Sequence, residues 1–211
     1  MTGIRKKTVI GISGCSGSGK STLISGILKK FPPGDISVVS QDNYYISREL
    51  QVTDREGVKN FDLPGSIDHR RMVSDLRKLM SGEPVSLEVY RFNNPGPEPK
   101  RITILPARII LIEGIFIFHV PEIDSLLDYR LFIEAREYLM LKRRIIRDRE
   151  ERGYELSDVL YRYENHVIPA YDRYIMPYRD KCDLVIANNT DTDLAISALY
   201  NFIANLPWHR K

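Results

Sequence analysis

Eight consecutive residues near the N-terminus carry the clearest chemistry in this chain. Gly14, Cys15, Ser16, Gly17, Ser18, Gly19, Lys20 and Ser21 follow the order G-x-x-x-x-G-K-[ST]. Glycines let a backbone curl until successive N–H groups converge, and phosphate oxygens are the natural occupant of such a nest. A helix opening near Lys20 adds the positive end of its dipole. Lys20 is then placed to reach the β- and γ-phosphates of a nucleoside triphosphate, and the Ser21 hydroxyl to meet Mg²⁺. Thr22 belongs to the same nucleotide-binding set. Cys15 reads as incidental, although a thiol at a helix N-terminus can have a lowered pKa.

Two carboxylates and a set of arginines could complete a phosphoryl-transfer site. Asp42 follows an apolar stretch at residues 36–39, and ligands of open parallel sheets bind beyond the carboxyl ends of strands. There it could accept the proton of an attacking hydroxyl, or simply cap a turn. Glu113 ends the apolar run at residues 109–112, the Walker-B pattern that holds or orients Mg²⁺. Arg143, Arg144, Arg147 and Arg152 crowd one charged stretch, with Gly153 as a possible hinge. They suit either a lid that stabilises a moving phosphoryl group or a solvated helix face.

The elements that must position these groups can be read from periodicity. Residues 8–12 form a short β-branched run bounded by glycine, a buried parallel strand. Residues 20–30 carry Leu23, Ile24, Ile27 and Leu28 at helical spacing, and Phe31, Pro32, Pro33 and Gly34 end that helix. A second strand covers 36–39. Residues 42–66 read as loop with short helical turns, and 68–80 as helix. Two alternating stretches, 85–92 and 101–105, flank Asn93, Asn94, Pro95, Gly96 and Pro97, and predict a hairpin insertion over about 83–106. Strands follow at 108–112, 131–133 and 184–187. Helices are expected at 137–151, 155–174 (interrupted by Pro169) and 193–205. A lid spans about 142–162. The expected fold is α/β: one P-loop domain over residues 1–211 with a doubly wound parallel sheet.

Composition sets outer bounds. The chain has 211 residues, 43% hydrophobic and 28% charged, an ordinary balance for a packed core. A formal net charge of +3 does not call for nucleic acid. Two cysteines make no disulfide framework or metal set and fit a cytoplasmic location. No stretch approaches the length of a membrane span. A GTP-dependent switch is the rival class. Asp180-Lys181-Cys182-Asp183 is a near miss to its N-K-x-D base reader, but the first residue is wrong and the segment precedes a strand.

The ordered set resembles the uridine kinase family, within the wider uridine kinase and phosphoribulokinase group. The P-loop comes first, then Ser40-Gln41-Asp42 with Tyr45, then Asn60-Phe61-Asp62 with Pro64 and Asp68. Val89-Tyr90 with Phe92, Ile112-Glu113-Gly114-Ile115, and the arginine-rich stretch with Asp148 ending at Gly153 follow, with Val167, Pro169 and Asp183 in the tail. The resemblance implies a P-loop α/β kinase using ATP and Mg²⁺, with a hairpin over the acceptor site, commonly a homo-oligomer. It implies Asp42 as general base for a ribose 5′-hydroxyl, Asp62 on the ribose hydroxyls, and Tyr45, Tyr90 and Phe92 around the nucleoside. Arg144, Arg147 and Arg152 would contact phosphates or nucleoside, and Ser21 and Glu113 would serve Mg²⁺. The chain departs from the family pattern at Arg91 and Pro95, which replace an aspartate and a base-reading histidine, and at Tyr154 and Arg162. The added Arg91 and Arg162 raise the alternative of an anionic acceptor. His69, His119, His166 and His209 form no constellation and read as packing or surface residues. The tyrosines at 161–178 and Trp208 could serve a core or an oligomer face.

Overall fold

The computed structural model describes residues 7–92 and 100–207. The connection expected at residues 93–97, with Pro95, and also Trp208 and His209, lie outside the described residues. In chain order the elements are β1 (Thr8–Ser13), α1 (Lys20–Leu28), β2 (Ile36–Ser40), α2 (His69–Ser81), β3 (Val85–Glu88), β4 (Arg101–Ile104), β5 (Ile109–Glu113) and α3 (Pro121–Asp124). They continue with β6 (Tyr129–Glu134), α4 (Glu137–Glu150), α5 (Leu156–Arg162), α6 (Ile168–Ala170), β7 (Leu184–Ala187) and α7 (Thr192–Ala204).

Five strands make one parallel sheet in the order β2-β5-β1-β6-β7. All five residues of β5 are buried, as expected where helices cover both faces. Its alternation divides the core. Ile110 and Ile112 pack with Met72, Leu76 and Leu79 of α2 on one face. Ile109 and Leu111 pack with Leu23 and Ile27 of α1 and Leu199 and Ile203 of α7 on the other. Local signals agree with this plan. Asp68 caps α2 by accepting from the Arg71 N–H at 3.0 Å, Gly82 closes it in the left-handed region, and Asp191 caps α7.

β3 and β4 form a separate antiparallel pair, Val85↔Ile104 to Glu88↔Arg101. The expected alternating stretch to residue 92 is cut short. The Val89 N–H still donates to the Lys100 carbonyl at 2.8 Å, but Tyr90 and Phe92 leave the pairing and turn toward the mouth of the sheet. Residues 42–66 are loop with three short 3₁₀ turns, as expected.

The stretch expected to break at Pro169 does not break. Backbone angles stay helical through Tyr163, Ile168 and Tyr171, but the winding widens to π turns at Tyr163–Val167 and Tyr171–Ile175. Proline lacks an N–H and crowds the preceding turn. Wider turns on either side of α6 accommodate it while the backbone angles stay helical.

Candidate functional site

The phosphate loop joins β1 to α1 and is shaped by its neighbours. Gly14, Gly17 and Gly19 have φ of 147°, 82° and 98°. A Cβ at Gly14 would stand 2.1 Å from the Ile133 carbonyl oxygen. At Gly17 it would stand 2.4 Å from that of Met140, and at Gly19 2.2 Å from Asn188 Nδ2. The glycines therefore answer to close packing as well as to curvature. No side chain caps the start of α1, so its first N–H groups face the loop. Lys20 is buried and donates to the carbonyls of Gly14 at 2.8 Å and Cys15 at 3.1 Å. Burial pushes its pKa down, against the charge of Glu113. Ser16 faces the lid, and Ser21 and Thr22 are exposed on the first turn of α1. Cys15 is 1% exposed, and burial pushes its thiol up to about 12, so it is an unreactive core residue.

Asn188, just beyond β7, is a residue sequence reasoning missed. It is 2% exposed, and its Nδ2 donates to the Ser18 carbonyl at 2.9 Å. Arg143, grouped with the lid arginines, instead braces this region. Its Nη2 donates to the Asn188 carbonyl at 2.9 Å, and its Nη1 lies 3.4 Å and 3.3 Å from the Gly17 and Ser18 carbonyls.

Strand pairing sets the carboxylates. Glu113 is in register with Ser40 of β2 and Ile12 of β1, so all three strands end on one line. The Ser40 hydroxyl donates to Glu113 Oε1 and also accepts from the Asp42 N–H at 3.3 Å. Ser40 thus places Glu113 and Asp42 side by side. Burial, reinforced by the negative charge of Asp42, raises the Glu113 pKa. The Ser21 hydroxyl, Glu113 and Asp42 are hard oxygen donors beside a phosphate nest. That set fits Mg²⁺, which commonly takes one or two carboxylates together with phosphate oxygens.

The arginines separate into roles along α4. Arg144 and Asp148 are buried; Arg147 and Arg152 are half-buried. Arg144 Nη1 donates to Ser16 Oγ at 3.0 Å and Arg147 Nη2 to the same atom at 3.4 Å. Asp148, which sequence reasoning left without a role, lies 3.1 Å from Arg144 Nε, 2.9 Å from Arg147 and 3.3 Å from Arg152. Arg144 also lies 3.9 Å from Asp62. The stretch is therefore not a solvated face at these positions. Arg152 reaches across to stack on Phe92, 3.7 Å above the ring centroid.

Four aromatic rings gather opposite the lid. Tyr45 contacts Phe61, Tyr90 and Phe92 at centroid distances of 5.9, 5.3 and 5.0 Å, and Tyr90 meets Phe92 at 5.0 Å. Asp62 is buried beside Phe61. Arg162 and Tyr154 also reach this cavity. Arg162 Nε pairs with Asp158 at 3.0 Å and Nη1 donates to the Lys59 carbonyl at 2.6 Å, so its charge is met within the protein. The adjoining loop is tied down by Asp54, which accepts from Tyr161 Oη at 2.9 Å and pairs with His166 Nε2 at 2.7 Å. His119 packs on Tyr174 and Tyr178 behind the sheet. Asp183 accepts from the Arg130 N–H at 2.7 Å, so the near-miss base reader is partly a strand brace.

Two spaces meet here. One, of about 80 Å³, is lined by the aromatic rings, Asp62, Glu113 and the lid; Tyr90 stands behind Tyr45 and Phe92 rather than on its wall. The other, of about 510 Å³, runs along Gly17, Gly19, Thr22, Arg143 and Asn188. Lys20, Ser21, Asp42, Arg147 and Arg152 line both. These five side chains form a shared wall between the two spaces.

The description "Phosphoribulokinase / Uridine kinase family" belongs to a family model that matches residues 9–195. A uridine kinase of Macrococcus caseolyticus is 32% identical over 201 residues, covering 95% of this chain and 98% of its own. Uridine-cytidine kinase B of Dictyostelium discoideum is 32% identical over 199 residues, covering 93% and 81%. Among solved structures, phosphoribulokinase from Rhodobacter spheroides superposes with a TM-score of 0.60 at 16% identity, over 91% of this chain and 74% of that one. A possible uridine kinase from Bacillus stearothermophilus gives 0.58 at 18%, over 85% and 88%. These structures share the P-loop α/β fold. A family match across most of the length, curated relatives of this identity and a phosphate loop between β1 and α1 converge: the chain is a phosphotransferase and belongs to the phosphoribulokinase/uridine kinase family.

Proposed function

We propose that this protein transfers the γ-phosphoryl group of ATP to the 5′-hydroxyl of uridine or cytidine. The observation that carries the reading is the shared wall of the two spaces. Lys20, Ser21, Asp42, Arg147 and Arg152 stand where a donor in the larger space and an acceptor in the smaller one would meet. The names of the curated relatives, uridine kinase and uridine-cytidine kinase, support the acceptor class.

The donor phosphates lie in the nest of residues 14–21 and against Lys20. Ser21 and Glu113 would hold Mg²⁺, which would supply neutralisation of phosphate charge. Asp42 accepts the proton of the acceptor hydroxyl as it attacks in line. Arg144, Arg147 and Arg152 meet the charge on the transferring group, and no covalent enzyme intermediate is required. Asp62 hydrogen-bonds the ribose hydroxyls, and Tyr45 and Phe92, backed by Tyr90, form the walls for a base. The space of about 80 Å³ is smaller than the roughly 300 Å³ at which ligand pockets begin, so Arg152 and Phe92 part to admit the acceptor. Free Cys15 and Cys182 suit a reducing cytoplasm.

Of the two arginines that raise the alternative of an anionic acceptor such as a sugar phosphate, Arg91 and Arg162, the second lines the cavity. Its pairing with Asp158 and Lys59, and the carboxylates Asp42 and Asp62 in the same cavity, favour a neutral one. Acceptor-dependent ADP release tests this, using ATP·Mg²⁺ with uridine, cytidine, other nucleosides, nicotinamide riboside, pantothenate and ribulose 5-phosphate. Stimulation by uridine or cytidine is expected. Silence with both and turnover of another acceptor would replace the pyrimidine nucleoside with that compound.

A further inference from the structure

Asp148 is the most buried charged group of the lid, at 2% exposure, and the phosphoryl-transfer scheme above does not use it. Its neighbours are three guanidinium groups. Oδ2 lies 3.1 Å from Arg144 Nε, an ion pair without hydrogen-bond alignment. Oδ1 accepts from Arg147 Nε at 2.9 Å and lies 3.3 Å from Arg152 Nη1. Positions 144, 148 and 152 are spaced four apart, on one face of α4 and its C-terminal extension. Arg144 is shared with Asp62 at 3.9 Å, whereas Asp148 holds Arg147 and Arg152, the two arginines that line both spaces. Two of these arginines are already anchored to the phosphate loop through Ser16 Oγ.

We infer that Asp148 is a positioning residue that competes with the bound triphosphate for the lid arginines, holding Arg147 and Arg152 back from the ground state so that they act on the transition state. The inference rests on the phosphotransfer reading above. Its logic is differential binding. An arginine that grips ATP and the transition state equally lowers the energy of both and adds nothing to kcat. A carboxylate that retains the guanidinium until charge has spread over the transferring group makes the contact selective. A merely structural ion pair would weaken ATP binding when broken, because the lid would lose order. A competing carboxylate, once neutralised, does the opposite.

The test is Asp148→Asn in the full chain, with Mg²⁺-ATP binding measured by calorimetry without acceptor, and kcat measured with the best acceptor. ATP is expected to bind about threefold to tenfold more tightly, since one negative charge beside the triphosphate is removed. At the same time kcat falls about tenfold or more. Unchanged or weaker ATP binding in Asp148→Asn, with wild type binding normally, overturns this proposal alone. A wild-type chain that binds no ATP overturns the phosphotransfer reading and this proposal with it. Should Asp148→Asn fail to fold, Asp148→Glu decides, because it keeps the charge and moves it outward. ATP affinity near wild type with reduced kcat supports the role; loss of ATP affinity together with a lower melting temperature overturns it.

Discussion

Replacing Asn188 with Ala should damage the phosphate loop from a position far away in sequence. Asn188 Nδ2 donates to the Ser18 carbonyl at 2.9 Å across a separation of 170 residues, in a setting 2% exposed. The truncation leaves that buried carbonyl only the longer contact from Arg143 Nη1 at 3.3 Å, which costs about 1 kcal/mol, the low end of the roughly 1–3 kcal/mol for a buried group left unpaired. A chain of this size loses about 2–4 °C of melting temperature per kcal/mol, so a fall of roughly 2–4 °C is expected. The cost should also appear in ligand affinity. Ser18 lies between Gly17 and Gly19, and the same side chain sits where a Cβ on Gly19 would be, so it sets how far the loop can relax. Calorimetric ATP binding and a thermal melt, with and without ATP, measure both effects. Asn188→Asp serves as the sharper variant: it sets a carboxylate against the Ser18 carbonyl and beside an anion site, and should lose more ATP affinity than Ala. An Ala variant that melts within about 1 °C of wild type and binds ATP equally would refute the view that β7 holds the loop in shape.

Other outcomes follow from the same geometry. Asp42→Asn should lower kcat by about 10²–10⁴, the usual worth of a general base, with little change in ATP affinity; an equal loss of ATP binding would give Asp42 a metal or structural role instead. Glu113→Gln should raise the Mg²⁺ concentration needed for half-maximal activity by about tenfold, read from a Mg²⁺ titration at fixed ATP; an unchanged titration would remove Glu113 from the metal site. Asp54 should make the fold acid-sensitive. Burial opposes its ionisation, but hydrogen bonds from Val58, His166, Tyr161 and Glu56 outweigh it and hold its pKa at about 2, below the ordinary 3.8. The stabilisation is therefore present above that ordinary value and is lost as pH falls toward about 2. Asp54→Asn should lower the melting temperature at neutral pH and flatten its decline between those two values; a parallel acid limb in both proteins would show that other groups set it.

What the sequence makes legible is what depends on local spacing. The nest of residues 14–21 can be read because each glycine needs a conformation that other residues avoid, and the strand at residues 109–112 because four apolar residues leave no polar position before Glu113. Asp148 and Asn188 could not be read in this way. Their partners lie on other segments or on neighbouring turns of the same charged helix, where an aspartate among arginines looks like ordinary surface pairing. A signal for Asp148 did exist: Arg144, Asp148 and Arg152 recur at intervals of four, which places one acid between two bases on a single face. Arg143 shows the reverse error, since its type matched the lid but its face of α4 points to β7. Pro169 misled because a proline inside helical periodicity predicts a break, whereas the backbone widened into π turns on either side of it. Tyr90 and Phe92 alternate like strand residues, yet ring packing against Tyr45 draws them out of the ladder.

The strand order also bears on how the polypeptide is made. β1 and β2 are not neighbours; β5, which arrives about a hundred residues after β1, inserts between them. A growing chain that has emerged only as far as α2 holds two unpaired parallel strands and a phosphate loop with no Ile133, Met140 or Asn188 to rest against. The nest that is earliest in sequence is thus completed only when β6 and β7 have been synthesised. Until then the apolar edges of β1 and β2 are exposed, and this is the interval in which nascent chains of such topology most need a chaperone.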